Sequence, residues 1–462
     1  MANELIISVS GLRGVVGDTL TPEVAFRYAA AFAGSLPAGP MVVSRDGRAN
    51  GAELLAPVVA GLSQNAARRV LDAGIAATPT TGVLVRHHHC AGGIQISASH
   101  NPAQYNGLKL FSAEGRVVPA NVGEVVLARY RTLDDGCSMF DRARATDIVE
   151  NLADTTAHHL KLIEQIVDVE RIRARRFRVL LDSNHGSGSV LGTPLLKRLG
   201  CDLVLLGGNP DGQFAHEPEP TAENLADVLA NVTEARADVG FCQDPDADRL
   251  AIVDERGRYL GEEYTLAMCV DHVLRGSPGP VVTNCSTSRM AEELAKKYGV
   301  PFYRSAVGEA NVVDQMLRQS AVIGGEGNGG TIDPRVGLVR DSFAGMALVL
   351  AAMAERGLPV SVLADELPRY AIHKSKIGLS RDAVPAALDG LKRRFPEAKS
   401  DRLDGLRLDW QSDDGGSKWL LVRASNTEPI VRIVAEAPTA GEARRLCNEA
   451  AAAMQSTRCL AG

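Results

Sequence analysis

Apolar residues along this chain gather in short, β-branched runs that break off into glycine- and serine-rich loops, and longer alanine- and leucine-rich stretches follow them. Strands that feed loops and then helices give this alternation. "GPMVVSRDGR" (39–48) predicts a strand entering a loop, "GAELLAPVVAGLSQNAARRVLDAG" (51–74) a helix, and "GGIQIS" (92–97) a second strand. "FRVLLDSNHGSGSVLGTPLLKRLGCDLVLL" (177–206) predicts strand, turn, helix and strand, and "ADVGFCQDPDADRLAIVDERG" (237–257) two strands about a polar loop. "EEYTLAMCVDHVL", "GPVVTNCSTSRMAEELAKKYGV" and "SAVIGGEGNGG" follow the same plan between 262 and 330. Three similar α/β units are expected from the pattern, although no strict sequence repeat accompanies it.

After about 370 the pattern changes: residues 403–438 alternate as antiparallel strands and turns do, and 439–456 suit a closing helix. The fold class expected is therefore α/β, three similar mixed domains plus a C-terminal α+β domain around a central cleft. The expected boundaries are 1–150, 151–255, 256–368 and 369–462. A length of 462 residues suits several cores, at roughly 100–200 residues per domain.

Composition narrows the class. Hydrophobic residues at 45% and charged residues at 23% describe a globular chain. The longest apolar stretch, "FAGMALVLAAMA" (343–354), is too short for a bilayer and is expected as a buried helix. The first ten residues lack the basic start and apolar centre of a secretory signal, so a cytoplasmic location is expected. Eight cysteines without C-x-x-C spacing point to reduced thiols rather than a zinc site. A net charge of -6 leaves no basic footprint for nucleic acid, and the basic run "RIRARRFR" (171–178) is expected as a solvated junction.

Four loops carry candidate chemistry. In "CQDPDADRL", Asp244, Asp246 and Asp248 alternate between two strand-like segments, so that three hard oxygen donors can converge on Mg²⁺ or Ca²⁺. Glu255 falls at the twelfth position of a calcium-type loop, but Arg249 occupies the sixth, where the sharp turn needs glycine. Arg249 suits a phosphate oxygen beside the metal. "GGEGNGG" sets Glu326 and Asn328, a pair able to read sugar hydroxyls, among glycines. "RASNTEPIVR" offers Arg423, Ser425, Asn426, Thr427 and Arg432 as donors to a phosphate. In "GGIQISASHNPAQYNGLKL", Ser99 and His100 follow a strand, where α/β proteins place ligands, and no G-x-S-x-G elbow is present. A serine with metal-binding aspartates and phosphate-reading arginines is a phosphoryl-transfer set.

Together "SASHNP", "DPDADR", "GEGNGG" and "RASNTEP", in that order, resemble the α-D-phosphohexomutase superfamily of phosphoglucomutases, phosphomannomutases and phosphoglucosamine mutases. "SGLRGVVGDTLTPE", "VVSRDGR", "ATPTTG", "PDGQFAHEPEPTAENL" and "RDS" extend the likeness over nearly the whole chain. The resemblance implies that Ser99 carries a phosphoryl group and that Asp244, Asp246 and Asp248, with that group, hold Mg²⁺. It implies that Glu326 and Asn328 read the sugar, that Arg423, Ser425, Asn426, Thr427 and Arg432 hold the stationary phosphate, and that Lys109, as general base, His100 and Arg13 line the phosphoserine site. It also implies a hexose 1,6-bisphosphate as activator and intermediate, a hexose phosphate as the small-molecule partner, no nucleic acid or membrane, and a monomer or homodimer. The sugar loop departs from the G-E-M-S-G-H and G-E-Q-S-G-H forms, with Asn328 in the serine position and Gly330 in that of the histidine. This form leans toward phosphoglucosamine mutases over the phosphomannomutase and phosphoglucomutase alternatives. A Mg²⁺-dependent phosphatase with Asp244 as nucleophile, and a sugar-phosphate binding protein, are the competing classes.

Overall fold

The computed structural model describes residues 5–64, 68–133, 149–411, 416–425 and 430–459, and the statements below concern these. Three sheets share one wiring. In the first, Met41–Arg45 is central, flanked in parallel by Val70–Ile75 and Gly92–Ile96, and Tyr105–Ser112 returns antiparallel beside Gly92–Ile96. Arg178–Asp182, Asp202–Leu206, Val239–Gln243 and Leu250–Asp254 repeat that arrangement. Val281–Asn284, Phe302–Ser305, Ile323–Glu326 and Gly330–Ile332 repeat it again. The last strand of each unit is joined to the one before it by an antiparallel connection, and the loops of those three connections hold residues 97–104, 244–249 and 327–329. The serine, aspartate and glycine-rich motifs thus occupy the same structural position in three successive units.

The fourth sheet is antiparallel throughout, ordered Ala371–Gly378, Ile430–Ala437, Lys418–Ala424, Leu406–Trp410 and Lys399–Asp401. Val384–Arg394 and Ala440–Cys459 lie with it, through Leu388, Leu391, Leu446 and Cys447 in the core. The opposite face of the sheet presents Trp419 and Leu421 to Cys285 of the third unit.

The apolar run at 343–354 lies in the helix Ser342–Arg356, capped by the Asp341 carboxylate and buried along nearly its whole length. It belongs to a continuous core that spans the second and third units. The basic run lies largely exposed, with only Ile172 and Phe177 turned into the core. The helix expected over 51–74 ends at Ser63, and Val70–Ile75 is a strand. Alanine-rich spacing carried the helical period past its end, whereas parallel pairing with Met41–Arg45 decided the later residues. The six described cysteines are free thiols, and no helix among the described residues is long and apolar enough to cross a membrane.

Candidate active site

Ser99 is shaped by a buried scaffold beneath it. Asp46 pairs with Arg48 and accepts the Ser97 hydroxyl proton at 2.6 Å, and Ser97 Oγ in turn accepts the Ser99 backbone N–H at 2.9 Å. The Arg48 guanidinium donates to the carbonyls of Ser99 and Asn101 at 2.6 Å, of Pro102 at 2.7 Å and of Tyr105 at 3.1 Å. One cation therefore satisfies four loop carbonyls that a buried loop would otherwise leave unpaired. Ser99 itself sits at φ 51°, the left-handed region that costs a non-glycine residue about 1–3 kcal/mol. Such strain, held by so many bonds, marks a position kept for chemistry.

The Ser99 hydroxyl donates to Asp244 Oδ2 at 2.7 Å, across the boundary between the first and second units. All three aspartates are fully buried, and one oxygen of each lies within 4.8 Å of the others. Asp246 Oδ2 accepts from Thr78 Oγ1 at 2.6 Å and from Lys109 Nζ at 2.9 Å. Asp248 Oδ2 accepts from Lys109 at 2.8 Å and from Arg340 at 2.7 Å. Their Oδ1 atoms have no partner although both are shut off from solvent. Burial, together with Asp246 and Asp248, pushes the Asp244 carboxyl well above its usual range. Two buried oxygens without a hydrogen-bond partner, with a carboxylate oxygen of each of the three aspartates within 4.8 Å of the others, fit a hard divalent metal. The strands that flank the loop, and Glu255 turned away to accept from the Ser361 backbone N–H at 3.2 Å, exclude the calcium-loop reading.

Lys109 lies between two of the aspartates. As proton acceptor it needs a depressed pKa. Burial pushes that way, while Asp246 and Asp248 push the other way and raise the pKa above the ordinary lysine value. His100 is the reverse case: burial, Arg249 and Arg13 push it down to about 2, and its neutral ring lies 3.4 Å from Ser99 Oγ. Arg13 donates to Asn101 Oδ1 at 3.2 Å, and the Arg249 backbone N–H donates to Asp244 Oδ1 at 3.1 Å.

Glu326 and Asn328 flank the tip of the third loop. Glu326 Oε1 accepts from Asn284 at 2.7 Å and from the Gly308 N–H at 3.1 Å, while Asn328 Oδ1 is buried without a partner. Arg340 joins this loop to the aspartates, since its guanidinium pairs with Glu326, Glu309 and Asp248. Thr78, Arg340, Asp46 and Arg48 were missed as individual residues. They lie in "ATPTTG", "RDS" and "VVSRDGR", and those stretches were the only signal.

From the fourth unit, Arg423, Ser425 and Arg432 face Arg13, His100 and Lys109 across a cleft of about 540 Å³. Arg423 and Arg432 stand directly opposite each other on paired strands, and Arg423 is held by Asp404 at 2.9 Å. Asn426 and Thr427 lie outside the described residues.

A strained buried serine against three clustered acids, facing two arginines, defines an enzyme that moves phosphoryl groups. Models of the three phosphoglucomutase/phosphomannomutase alpha/beta/alpha domains match residues 5–136, 157–257 and 262–370, and that of the C-terminal domain matches 379–453. A "Phosphoglucomutase/phosphomannomutase" of Thermococcus kodakarensis is 37% identical over 94% of this chain and 95% of its own. A Methanopyrus kandleri protein named "Probable phosphoglucosamine mutase" is 32% identical over 95% of each. The crystal structure of a phosphoglucomutase/phosphomannomutase family protein from Burkholderia thailandensis, 25% identical, superposes with a TM-score of 0.79 over 98% of each chain. The chain belongs to the phosphoglucomutase/phosphomannomutase family, and it is a phosphohexomutase.

Proposed function

We propose that this enzyme interconverts the 1- and 6-phosphates of a hexose, glucosamine foremost, through phospho-Ser99 and a bound hexose 1,6-bisphosphate. The observation that carries the reading is the Ser99 Oγ to Asp244 Oδ2 contact of 2.7 Å, a nucleophile set against the cluster of three aspartates. Phospho-Ser99 gives its phosphoryl group to the free hydroxyl of the sugar phosphate. One P–O bond to serine breaks, one to the sugar forms, and the proton of the sugar hydroxyl ends on Ser99 Oγ. The bisphosphate then turns around, its other phosphoryl group returns to Ser99 Oγ, and the Ser99 proton passes to the sugar oxygen released.

Mg²⁺ held by Asp244, Asp246 and Asp248 would supply the positive charge that a transferring phosphoryl group needs. Lys109, paired with Asp246 and Asp248, neutralises the same group from the side. Arg13, Arg249 and the neutral His100 line the space around Ser99 and exclude water from the phosphoserine. Glu326 and Asn328 orient the sugar through its hydroxyls. Arg423, Ser425, Asn426, Thr427 and Arg432 hold the phosphate that is not moving, so the reacting oxygen is presented by a fixed grip. The glucosamine preference rests on the "GEGNGG" loop and on relatives named for that sugar.

³¹P NMR of the purified enzyme with Mg²⁺, trace bisphosphate and separate glucosamine, glucose and mannose phosphates tests the reading. Isomerisation should be fastest with glucosamine phosphate, should stop on chelation and should fall more than about a thousandfold in Ser99→Ala, as loss of a covalent nucleophile requires. Release of inorganic phosphate that survives Ser99→Ala would make it a phosphatase instead.

A further inference from the structure

Arg340 stands just before the helix Ser342–Arg356, and its neighbour Asp341 donates its backbone N–H to the Thr331 carbonyl at 2.8 Å, so position 340 lies beside the sugar loop. Three carboxylates from three segments hold its buried guanidinium. Glu309 accepts from Nε at 3.0 Å and from the Arg340 backbone N–H at 3.1 Å, Asp248 Oδ2 accepts from Nη2 at 2.7 Å, and Glu326 Oε2 lies 3.2 Å from Nη1. Two of these acids adjoin the cleft beside Ser99. Asp248 Oδ2 also accepts from Lys109, and Gly308, whose N–H holds Glu326 Oε1, follows Val307; Lys109 and Val307 both line that cleft.

Gly330 is the counterpart of this arginine. A Cβ added at 330 would overlap Arg340 Cδ and lie 2.7 Å from its Cγ. Those atoms are the middle of a side chain rooted at a helix start and fixed at its head by three acids, so they cannot step aside. The Gly330 backbone lies outside the left-handed region, and it is therefore Arg340 rather than the turn that calls for glycine. Arg340 fills the space that a side chain at position 330 would take. A carboxylate oxygen accepts about two hydrogen bonds. Glu326 Oε1 already has two, from Asn284 and Gly308, so the capacity left for a sugar hydroxyl is on Oε2, the oxygen that Arg340 holds. We infer that Arg340 is a positioning residue for sugar binding, one that acts through Glu326 by fixing where Oε2 meets the hydroxyl.

The inference rests on the reading of Glu326 as a sugar-binding residue, and the experiment separates the two. The dissociation constant of glucosamine 6-phosphate is measured by calorimetry on chelator-treated enzyme, where an effect of Arg340 on a metal through Asp248 is silent. Wild type, Glu326→Gln, Arg340→Met, Arg340→Lys and the two double variants are compared. Arg340→Met should weaken binding about tenfold, as loss of a charged hydrogen-bond partner implies. Arg340→Lys should weaken it at least about threefold, since an ammonium cannot span the same fork. In the Glu326→Gln background neither change should add more than about twofold, because residues that act through one contact are not additive. Arg340→Lys keeps a cation among the three acids and decides the matter where Arg340→Met does not fold. Binding unmoved by the single variants, or weakened as much with Glu326→Gln as without it, overturns the inference while leaving Glu326 its role. A Glu326→Gln enzyme that binds as tightly as wild type overturns the sugar reading of Glu326 itself.

Discussion

Arg48 bears more of the site than any residue that touches substrate in the account above. Its guanidinium joins Asp46 to four carbonyls of the Ser99 loop and stacks over the Phe214 ring at 5.0 Å, so it also ties the first unit to the second. Arg48→Ala should cost about 3–5 kcal/mol, because the buried Asp46 carboxylate is left without its cation. Thermal denaturation reads this, and Arg48→Lys should recover little of it, since an ammonium cannot span the same fork. Glu263 makes a prediction of the opposite kind. Its folded-state pKa is raised chiefly by burial, so it favours the folded state when protonated. That contribution is complete below its ordinary value near 4.5 and is lost as pH rises through the raised folded value. Glu263→Gln keeps an acceptor for the Ser288 N–H and removes the titration. Its melting temperature should therefore fall less steeply than the wild type's from about pH 5 upward.

At the scale of elements, the helix Thr78–His87 serves the neighbouring unit as much as its own. Its first residue donates its hydroxyl to Asp246 Oδ2, and the Thr78 backbone N–H donates to the Asp246 carbonyl at 2.9 Å. In the proposed metal site the hydroxyl would fix which Asp246 oxygen is left free for the ion, as outer-sphere partners do in metal sites generally. Thr78→Val keeps the shape and removes only this bond. The Mg²⁺ concentration for half-maximal activity should then rise about tenfold, read from metal titrations of the mutase assay. Several elements were legible in the sequence. The strands at 41, 92, 178, 239 and 281 carry β-branched runs that end in polar loops, and their local chemistry announces them. Val70–Ile75 was not legible, because an edge of alanine and arginine looks helical until a parallel neighbour claims it.

Across the whole molecule, the fourth unit stands apart in its sheet but not in its attachments. Arg407 stacks on Trp419 at 4.2 Å and donates to the Cys285 carbonyl, and Asp404 accepts the Val307 N–H at 3.0 Å while holding Arg423. Arg423, proposed to hold the stationary phosphate, is thereby tied through Asp404 to the surface that seats the unit against the third. If Arg423 holds the stationary phosphate, it binds ground state and transition state alike. Arg423→Ala should raise KM about tenfold or more with a smaller change in kcat, measured by steady-state kinetics with glucosamine 6-phosphate.

Read alone, the chain offered the candidate residues and their order, because an acidic trio, a glycine-rich loop and a donor-rich loop are local patterns. It also determined the alternation of strand and helix, for apolar periodicity is a property of neighbours in sequence. The tertiary structure alone decided which aspartate oxygens lack a hydrogen-bond partner, that Lys109 lies between Asp246 and Asp248, and that Arg340 and Arg48 bind loops together. Those outcomes follow from burial and from charges brought close by folding, residues 99 and 244 or 248 and 340, and no spacing along the chain encodes a distance of 2.7 Å between them.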